Sequence, residues 1–437
     1  MRLVSVGRRL KSHSVLHISR YNILRNNEVM KTTIILVAAA IFLMLGAGTE
    51  SSMTKAQAII VKTDSSDYVD QLNLNDPTLI NNGMHIRRIS DYLRQKVFEE
   101  FANDTTLKHI DNQWMTAKLR VALRIFSNPE VKDYWLYSIM YDQIDNYGIK
   151  NTSELMKTFY DNCTNPEYVS KIKDLYEADV ALTEGHTIKT YKTIDGFNLD
   201  AHIFYPPDFN KGDKRPAIVF FHGGAFYQGK AAWTFGACKR FASLGMIAIG
   251  VEYRLYDRHG TTPLECISDA KSVIRWMREN ADELGIDPEK IVTFGYSAGG
   301  HIAACAGILD ILDEPFEDLT ISSVPNAMIF YYSCFDPTID KWFNAQVEDR
   351  YAPEECSPNH NIHPGIPPSL VIHGTNDRNC PFWTAETFVE EMTKAGNRCD
   401  LLALQGAGHY FIFDKKYKEE RVKAVNNFLV SLGYLPD

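Results

Sequence analysis

The sequence predicts an α/β fold, a mostly parallel sheet with helices on both faces, preceded by a small helical domain. Two observations predict it. From residue 186 onward, short continuous apolar runs alternate with stretches of helical length, the pattern of strands buried on both faces. Between about 66 and 180, apolar residues instead recur three and four apart, the stripe of amphipathic helices. At 437 residues, 45% apolar and 23% charged, the chain is long enough for two or three units and has an ordinary globular composition.

Taken in order, residues 1–49 read as a leader. Seven Lys/Arg against Glu28 give residues 1–31 a local charge of +6, and the uncharged run from Thr32 to Thr49 closes in small residues. The apolar stretch is shorter than the roughly 20 residues a spanning helix needs, so it predicts a secretory signal and a secreted or periplasmic protein. An uncleaved N-terminal anchor is the one membrane attachment the sequence allows. Met30, directly before Lys31, is an alternative start.

The helical domain is assigned to residues 60–182. Ile86, Ile89, Leu93, Val97 and Phe101 mark one helix, and Trp135, Ile139 and Ile144 mark another that stops at Gly148. Asn151 with Glu154 reads as a capping box, and Asn165 before Pro166 as a helix start. The aromatic stripes read as core. This domain is expected to shape access to a site and not its chemistry.

The catalytic domain is assigned to residues 183–437. It opens with a hairpin turning at Asp195-Gly196. Strands then read at PAIVFFHGG, MIAIGVEYR, KIVTFGYS, AMIFYYS, SLVIHG and DLLALQG, separated by helices. Residues 335–368, rich in Pro and Asn, read as an excursion over one edge of the sheet. Of the eight cysteines, Cys305 and Cys334 read as small buried hydrophobes, whereas Cys356, Cys380 and Cys399 lie in polar segments and are the ones expected to pair.

The net charge is -9, so the chain after residue 31 carries -15. An acidic body without a basic stripe lacks the electrostatic footprint for phosphate backbones, which excludes nucleic acid as a partner. No cysteine or histidine spacing calls for a metal, and no motif calls for a cofactor.

Chemistry concentrates at strand ends. Gly295-Tyr296-Ser297-Ala298-Gly299 lies between an apolar strand and an apolar helix, the context in which a sharp turn raises a serine hydroxyl above the sheet. Such a serine needs a base, an orienting carboxylate and donors for an oxyanion. Asp377 and His409 each follow a later strand, in the order Ser, acid, His; Asp336 is the alternative acid. His222-Gly223-Gly224 follows an earlier strand, where glycines let backbone N–H groups approach a developing negative charge, and the N–H of Ala298 adds another. His301 and His373 read as structural, and Arg254 with Asp269 as a supporting ion pair.

In this order, HGGAF, VEYRL, GYSAGG, HGTND and GAGH resemble the α/β-hydrolase family, in its acetyl-esterase, carboxylesterase and hormone-sensitive-lipase-like branch. The resemblance implies Ser297 as nucleophile, Asp377 as acid, His409 as base, and the N–H groups of Gly223, Gly224 and Ala298 as oxyanion hole. Two departures stand out: Ala225 replaces the third glycine of the HGGG loop, and the segment after YRL lacks the usual Pro-Glu. The reading is a secreted serine esterase acting on a small-molecule or carbohydrate ester, with preference for short acyl groups and acetyl groups on carbohydrate as an option. Phe335 or Trp342 would bound the short pocket. The alternatives are a serine peptidase of the prolyl-oligopeptidase type and a non-catalytic binding protein on the same fold.

Overall fold

The computed structural model describes residues 69–107 and 110–436; the leader and the first residues of the predicted helical domain lie outside them. Among the described residues five α-helices precede the strands: α1 (Gly83–Asn103), α2 (Gln113–Ile125), α3 (Pro129–Tyr147), α4 (Ser153–Asn162) and α5 (Pro166–Leu182). Their starts follow the polar residues that precede them. Asn128 accepts from the N–H groups of Glu130 and Val131 at 3.0 and 3.3 Å with Pro129 in the first turn, and Asn165 does the same ahead of Pro166. Helix α3 stops at Gly148, whose φ of +76° suits glycine.

The capping box predicted at Asn151 and Glu154 does not form. Thr152 precedes α4 without a side-chain cap, while the Asn151 amide donates to Asp111 at 2.8 Å, drawn away by a carboxylate on another segment. The apolar stripes meet in a cluster of their own around Trp114, Phe126, Trp135 and Phe159, with Phe126 and Trp135 stacked at 5.7 Å.

The remaining chain builds eight strands: β1 (Thr187–Ile194), β2 (Phe197–Phe204), β3 (Arg215–Phe221), β4 (Ile247–Val251), β5 (Ile286–Tyr296), β6 (Ala327–Tyr331), β7 (Ser369–Gly374) and β8 (Cys399–Leu404). They form one sheet in the order β1-β2-β4-β3-β5-β6-β7-β8. Strand β2 runs antiparallel to its neighbours β1 and β4, and every pair from β4 to β8 is parallel. Interspersed are α6 (Phe235–Ser243), α7 (Tyr256–His259), α8 (Pro263–Glu279), α9 (Ala281–Leu284), α10 (Ala298–Ile308), α11 (Lys341–Val347), α12 (Phe382–Lys394) and α13 (Lys418–Ser431).

Side chains alternate across the strands. Ala217, Val219 and Phe221 join the cluster holding α8, α10 and α12, while Ile218 and Phe220 join the one holding α6 and α13. Burial on both faces explains why the strands read as unbroken apolar runs.

The excursion at 335–368 connects the interior strands β6 and β7, so it lies over the face carrying α8 and α10 and not over an edge. Its polar sequence hides Phe335, Phe343, Val347 and Cys356, all fully buried. The cysteines expected to pair are free thiols, as are the other five.

The described residues from 69 onward belong to one compact unit. The five N-terminal helices meet the sheet domain through a polar seam. Arg258 grips Asp111 with two nitrogens at 2.6 and 3.0 Å, and Lys150 reaches Asp200 and Glu252 at 2.5 and 2.7 Å. The Tyr147 hydroxyl donates to Asp257 at 2.9 Å, while the other oxygen of that buried carboxylate has no partner among the described residues. Burial raises the Asp257 carboxyl to about 6, against the lowering pull of Arg94, the Tyr147 hydrogen bond and Lys118; Asp142 adds to the rise. A carboxyl raised above its unfolded value costs stability increasingly as pH climbs from about 4 to above 6, and the full cost persists at neutral pH. Asp257→Asn removes it. Thermal unfolding should show the variant more stable than the parent at pH 8, by up to about 3 kcal/mol, with the gain vanishing near pH 4; a gain independent of pH would contradict this assignment.

Candidate active site

Strand β5 ends at Tyr296 and α10 begins at Ala298, so the whole reversal falls on Ser297, at φ +53° and ψ -118°. Such a conformation costs a non-glycine residue of order 1–3 kcal/mol and persists only where the surroundings dictate it. Here they do. A Cβ on Gly295 would sit 2.4 Å from the Gly299 carbonyl oxygen, and one on Gly299 would sit 2.3 Å from the carbonyls of Phe221 and His222. The Ser297 N–H donates to the Tyr331 carbonyl at 3.0 Å, and its own carbonyl accepts from Gly300, His301 and Cys334. The hydroxyl is thereby held at the carboxyl edge of the sheet, beside the first turn of α10.

The loop after β8 brings His409 to it. Nε2 lies 3.0 Å from Ser297 Oγ and Nδ1 lies 2.8 Å from Asp377 Oδ2. A carboxylate only accepts, so Nδ1 carries the proton and Nε2 presents a lone pair to the serine hydroxyl. Asp377 comes from the loop after β7. Its Oδ1 accepts from the N–H groups of Asn379 and Cys380 at 2.9 and 3.0 Å. Burial alone would raise its pKa, but hydrogen bonds from His373 and His409 outweigh that and hold the carboxyl well below the usual range. The alternative acid, Asp336, instead caps a turn by accepting from the Thr338 N–H and hydroxyl.

After β3, the His222-Gly223-Gly224 loop passes over the elbow. A Cβ on Gly223 would lie 3.3 Å from Ser297 Cβ, so this backbone runs directly against the serine. Among the described residues, the N–H groups of Gly223 and Gly224 donate to no backbone carbonyl outside regular elements, and Ala298 stands at the first position of α10, where helix N–H groups have no intrahelical partner. Buried His222 stacks on Tyr253 at 4.3 Å; burial lowers its pKa to about 4, and its neutral ring donates from Nδ1 to the Gly223 carbonyl at 2.7 Å. Its own carbonyl accepts from the Tyr253 hydroxyl at 2.7 Å.

Three neighbours were not read from the sequence as parts of the site. His373, fully buried, donates from Nε2 to the Cys380 carbonyl at 2.8 Å, and the same nitrogen lies 3.3 Å from Asp377 Oδ2. The four-residue spacing of His373 and Asp377 on one strand-to-loop turn was the available signal. Tyr332, at φ +40°, packs its ring 4.8 Å from that of His409, and no sequence feature pointed to it. Cys380 lies beside Ser297; a hydrogen bond with Cys334, burial and the Asp377 charge raise its thiol far above the usual range, so it stays protonated. The His301 ring binds the Cys356 carbonyl at 2.8 Å, and only the backbone N–H of this residue meets the Ser297 carbonyl. Arg254 and Asp269 pair at 2.8 Å within a buried network that also includes Lys192 and Glu314.

The family model BD-FAE matches residues 202–392. Esterase LipC of Mycobacterium tuberculosis is 30% identical over 216 residues, covering 45% of this chain and 53% of its own. The probable isoprenylcysteine alpha-carbonyl methylesterase ICME of Oryza sativa subsp. japonica is 28% identical, covering 48% and 55%. The chain thus spans about half the length of these curated relatives. Among solved structures, Thermogutta terrifontis esterase 2 phosphorylated by paraoxon superposes with a TM-score of 0.55 at 40% identity, over 58% of this chain and 97% of its own. The chain belongs to the α/β-hydrolase carboxylesterases. In this chain the mostly parallel eight-stranded sheet carries Ser297, Asp377 and His409 at its strand ends.

At this site Asp377 accepts from two backbone amides and from His409, with the His373 ring beside it, but only His409 connects it to Ser297. The two imidazoles therefore differ in consequence. Asp377→Asn should reduce kcat for p-nitrophenyl acetate by about 10⁴-fold by disturbing the His409 tautomer. His373→Asn, which removes a flanking donor, should cost about tenfold with KM unchanged. Equal losses in the two variants would contradict this division of roles.

Proposed function

We propose that the chain is an exported serine ester hydrolase acting on short-chain carboxylic esters through an acyl-enzyme. The observation that carries it is the continuous hydrogen-bond line from Ser297 Oγ through His409 to Asp377, with the Gly223 backbone against its serine end. Ser297 Oγ attacks the ester carbonyl while His409 Nε2 takes its proton, and Asp377 stabilises the imidazolium that forms. The carbonyl oxygen becomes negative as the tetrahedral intermediate forms and turns toward the N–H groups of Gly223, Gly224 and Ala298. His409 then protonates the departing alcohol, and water cleaves the acyl-serine by the same sequence of transfers.

Several features support short acyl groups. Phe335 stacks on Phe388 at 4.2 Å, fully buried, and so bounds no pocket, contrary to one sequence expectation. Trp342 is braced edge-on against Tyr227 and Tyr256 at 5.7 and 5.6 Å, which leaves it as the aromatic of that segment able to limit acyl length. The similar Thermogutta esterase 2 has been solved with propionate and with butyrate. A cavity of about 310 Å³ beside His409 is lined by Tyr410, Phe411, Asp414 and Tyr417. Exposed Tyr410 and Phe413 offer ring faces of the kind that stack on sugars, which supports an acetylated carbohydrate as the alcohol side of the ester. The peptidase alternative draws no support, since the described residues before β1 are helical where that type carries a β-propeller.

Ser297→Ala should lower p-nitrophenyl acetate hydrolysis by about 10⁴-fold or more. For the parent protein, kcat/KM should fall about tenfold or more from acetate and butyrate to palmitate, since a pocket misfit of about 1–3 kcal/mol suffices. Equal efficiency on palmitate would refute the acyl preference, and no release of acetate from acetylated xylan would remove the carbohydrate option.

A further inference from the structure

The loop that carries the proposed oxyanion donors is strained over several consecutive residues. Gly224 has φ +132°, Ala225 +54°, Phe226 +68° and Gly229 +133°. Ala225 and Phe226 are side-chain-bearing residues in the left-handed region, and Phe226 is bulky and buried, which makes it a costly place for such a backbone. The departure Ala225 from the HGGG pattern thus falls on a position whose backbone favours glycine. A run of this kind holds its shape only if something outside it dictates the shape.

The N-terminal helices supply that restraint. The last carbonyls of a helix lack their full set of intrahelical partners, and those of α3 accept from the oxyanion loop and the turn after it, Ile144 in addition to the Gly148 N–H. The Gly229 N–H donates to the Asn146 carbonyl at 3.0 Å, the Lys230 ammonium to the Ile144 carbonyl at 2.7 Å, and the Trp233 indole N–H to the Asp145 carbonyl at 3.3 Å. Lys230 also pairs with Asp179 of α5, both side chains largely buried. A second arm holds the crest of the loop. The carbonyls of Phe226 and Tyr227 accept from the N–H groups of Tyr256 and Asp257 at 3.0 and 3.2 Å, and Asp257 is held by the hydroxyl of Tyr147, the last residue of α3. The C-terminal end and the crest of the strained loop therefore both lead back to one helix terminus. Gly229 in turn packs under the His222 ring, so a shift there would carry straight to Gly223 and Gly224.

We infer that the N-terminal helical segment is a positioning element for the oxyanion hole, with Lys230 its principal contact. The segment reaches the chemistry through the loop and does more than shape access. The Thermogutta esterase matches over 97% of its own length against 58% of this chain, so next to nothing of it remains to correspond to the rest. In this chain the restraint has been built from added helices, and the alanine in the loop is tolerated because of it. The inference rests on the ester-hydrolase reading above.

The test uses the full chain carrying Lys230→Met, which keeps the unbranched apolar stem of the side chain and removes its ammonium group, and Trp233→Phe, which removes one indole donor from a half-exposed ring. Steady-state kinetics on p-nitrophenyl acetate are measured beside the affinity for a trifluoromethyl ketone, which forms the tetrahedral adduct. Lys230→Met should lower kcat at least tenfold and Trp233→Phe about threefold, with KM within twofold and ketone affinity falling by the same factor as kcat. A merely structural role would lower the unfolding temperature and leave kcat per folded molecule and ketone affinity untouched. Parental kcat and ketone affinity in Lys230→Met, or in Trp233→Phe if the lysine variant does not fold, overturn the inference. Absence of Ser297-dependent hydrolysis in the parent protein would instead overturn the functional reading beneath it.

Discussion

Everything at this site depends on the reversal of the chain at Ser297. A parallel strand must become a helix within one residue, and the strain of that turn is what lifts the hydroxyl clear of the sheet. The turn exists because the backbones of the Phe221–His222 carbonyls, Gly299 and Gly295 approach so closely that no side chain fits between them. Strand β3 therefore does two things: it closes the elbow from the side and continues into the loop that faces the serine. Because β3 and β5 are adjacent, with Phe221 opposite Gly295, the proposed nucleophile and the amides proposed for its oxyanion are set by one strand pair.

The acid side is built differently. Strands β7 and β8 place Asp377 and His409 in loops, where backbone freedom would otherwise be large. Hydrogen bonds replace the missing regularity: three donors converge on Asp377 with His373 packed beside them, and His409 is enclosed by Tyr332 on one side and the aspartate on the other. A carboxylate so surrounded stays ionised despite burial, which fixes the proton on His409 Nδ1 and leaves Nε2 basic toward the serine. Beside this core burial keeps the His222 imidazole neutral, and Cys334, burial and the Asp377 charge keep the Cys380 thiol protonated.

Much of this was legible in the sequence because it is local. The β5 strand, its GYSAG turn and α10 are contiguous, and the unbroken apolar runs announce strands covered on both faces. Asp377 and His409 could be ordered along the chain because each ends a strand. What escaped is non-local or depends on a partner. Asn151 was read as a cap because nothing nearby showed that Asp111 would claim its amide. His373 looked structural because its role appears only once its imidazole is seen turned toward Asp377. Phe335 looked available for a pocket because the Phe388 it stacks on lies far along the chain. The grip of α3 on the oxyanion loop joins residues more than eighty positions apart through carbonyl oxygens, which carry no trace in the sequence at all.

The central claim is that Ser297, made nucleophilic by His409, is the residue that becomes acylated. The measurement that reaches it most directly is labelling of the full chain by a fluorophosphonate, with the adduct located by peptide mass spectrometry and its rate of formation compared in His409→Ala. The account predicts one adduct per chain, on Ser297, forming at least 10³-fold more slowly in the variant. Labelling at another residue, or a rate at Ser297 indifferent to the loss of His409, would contradict it.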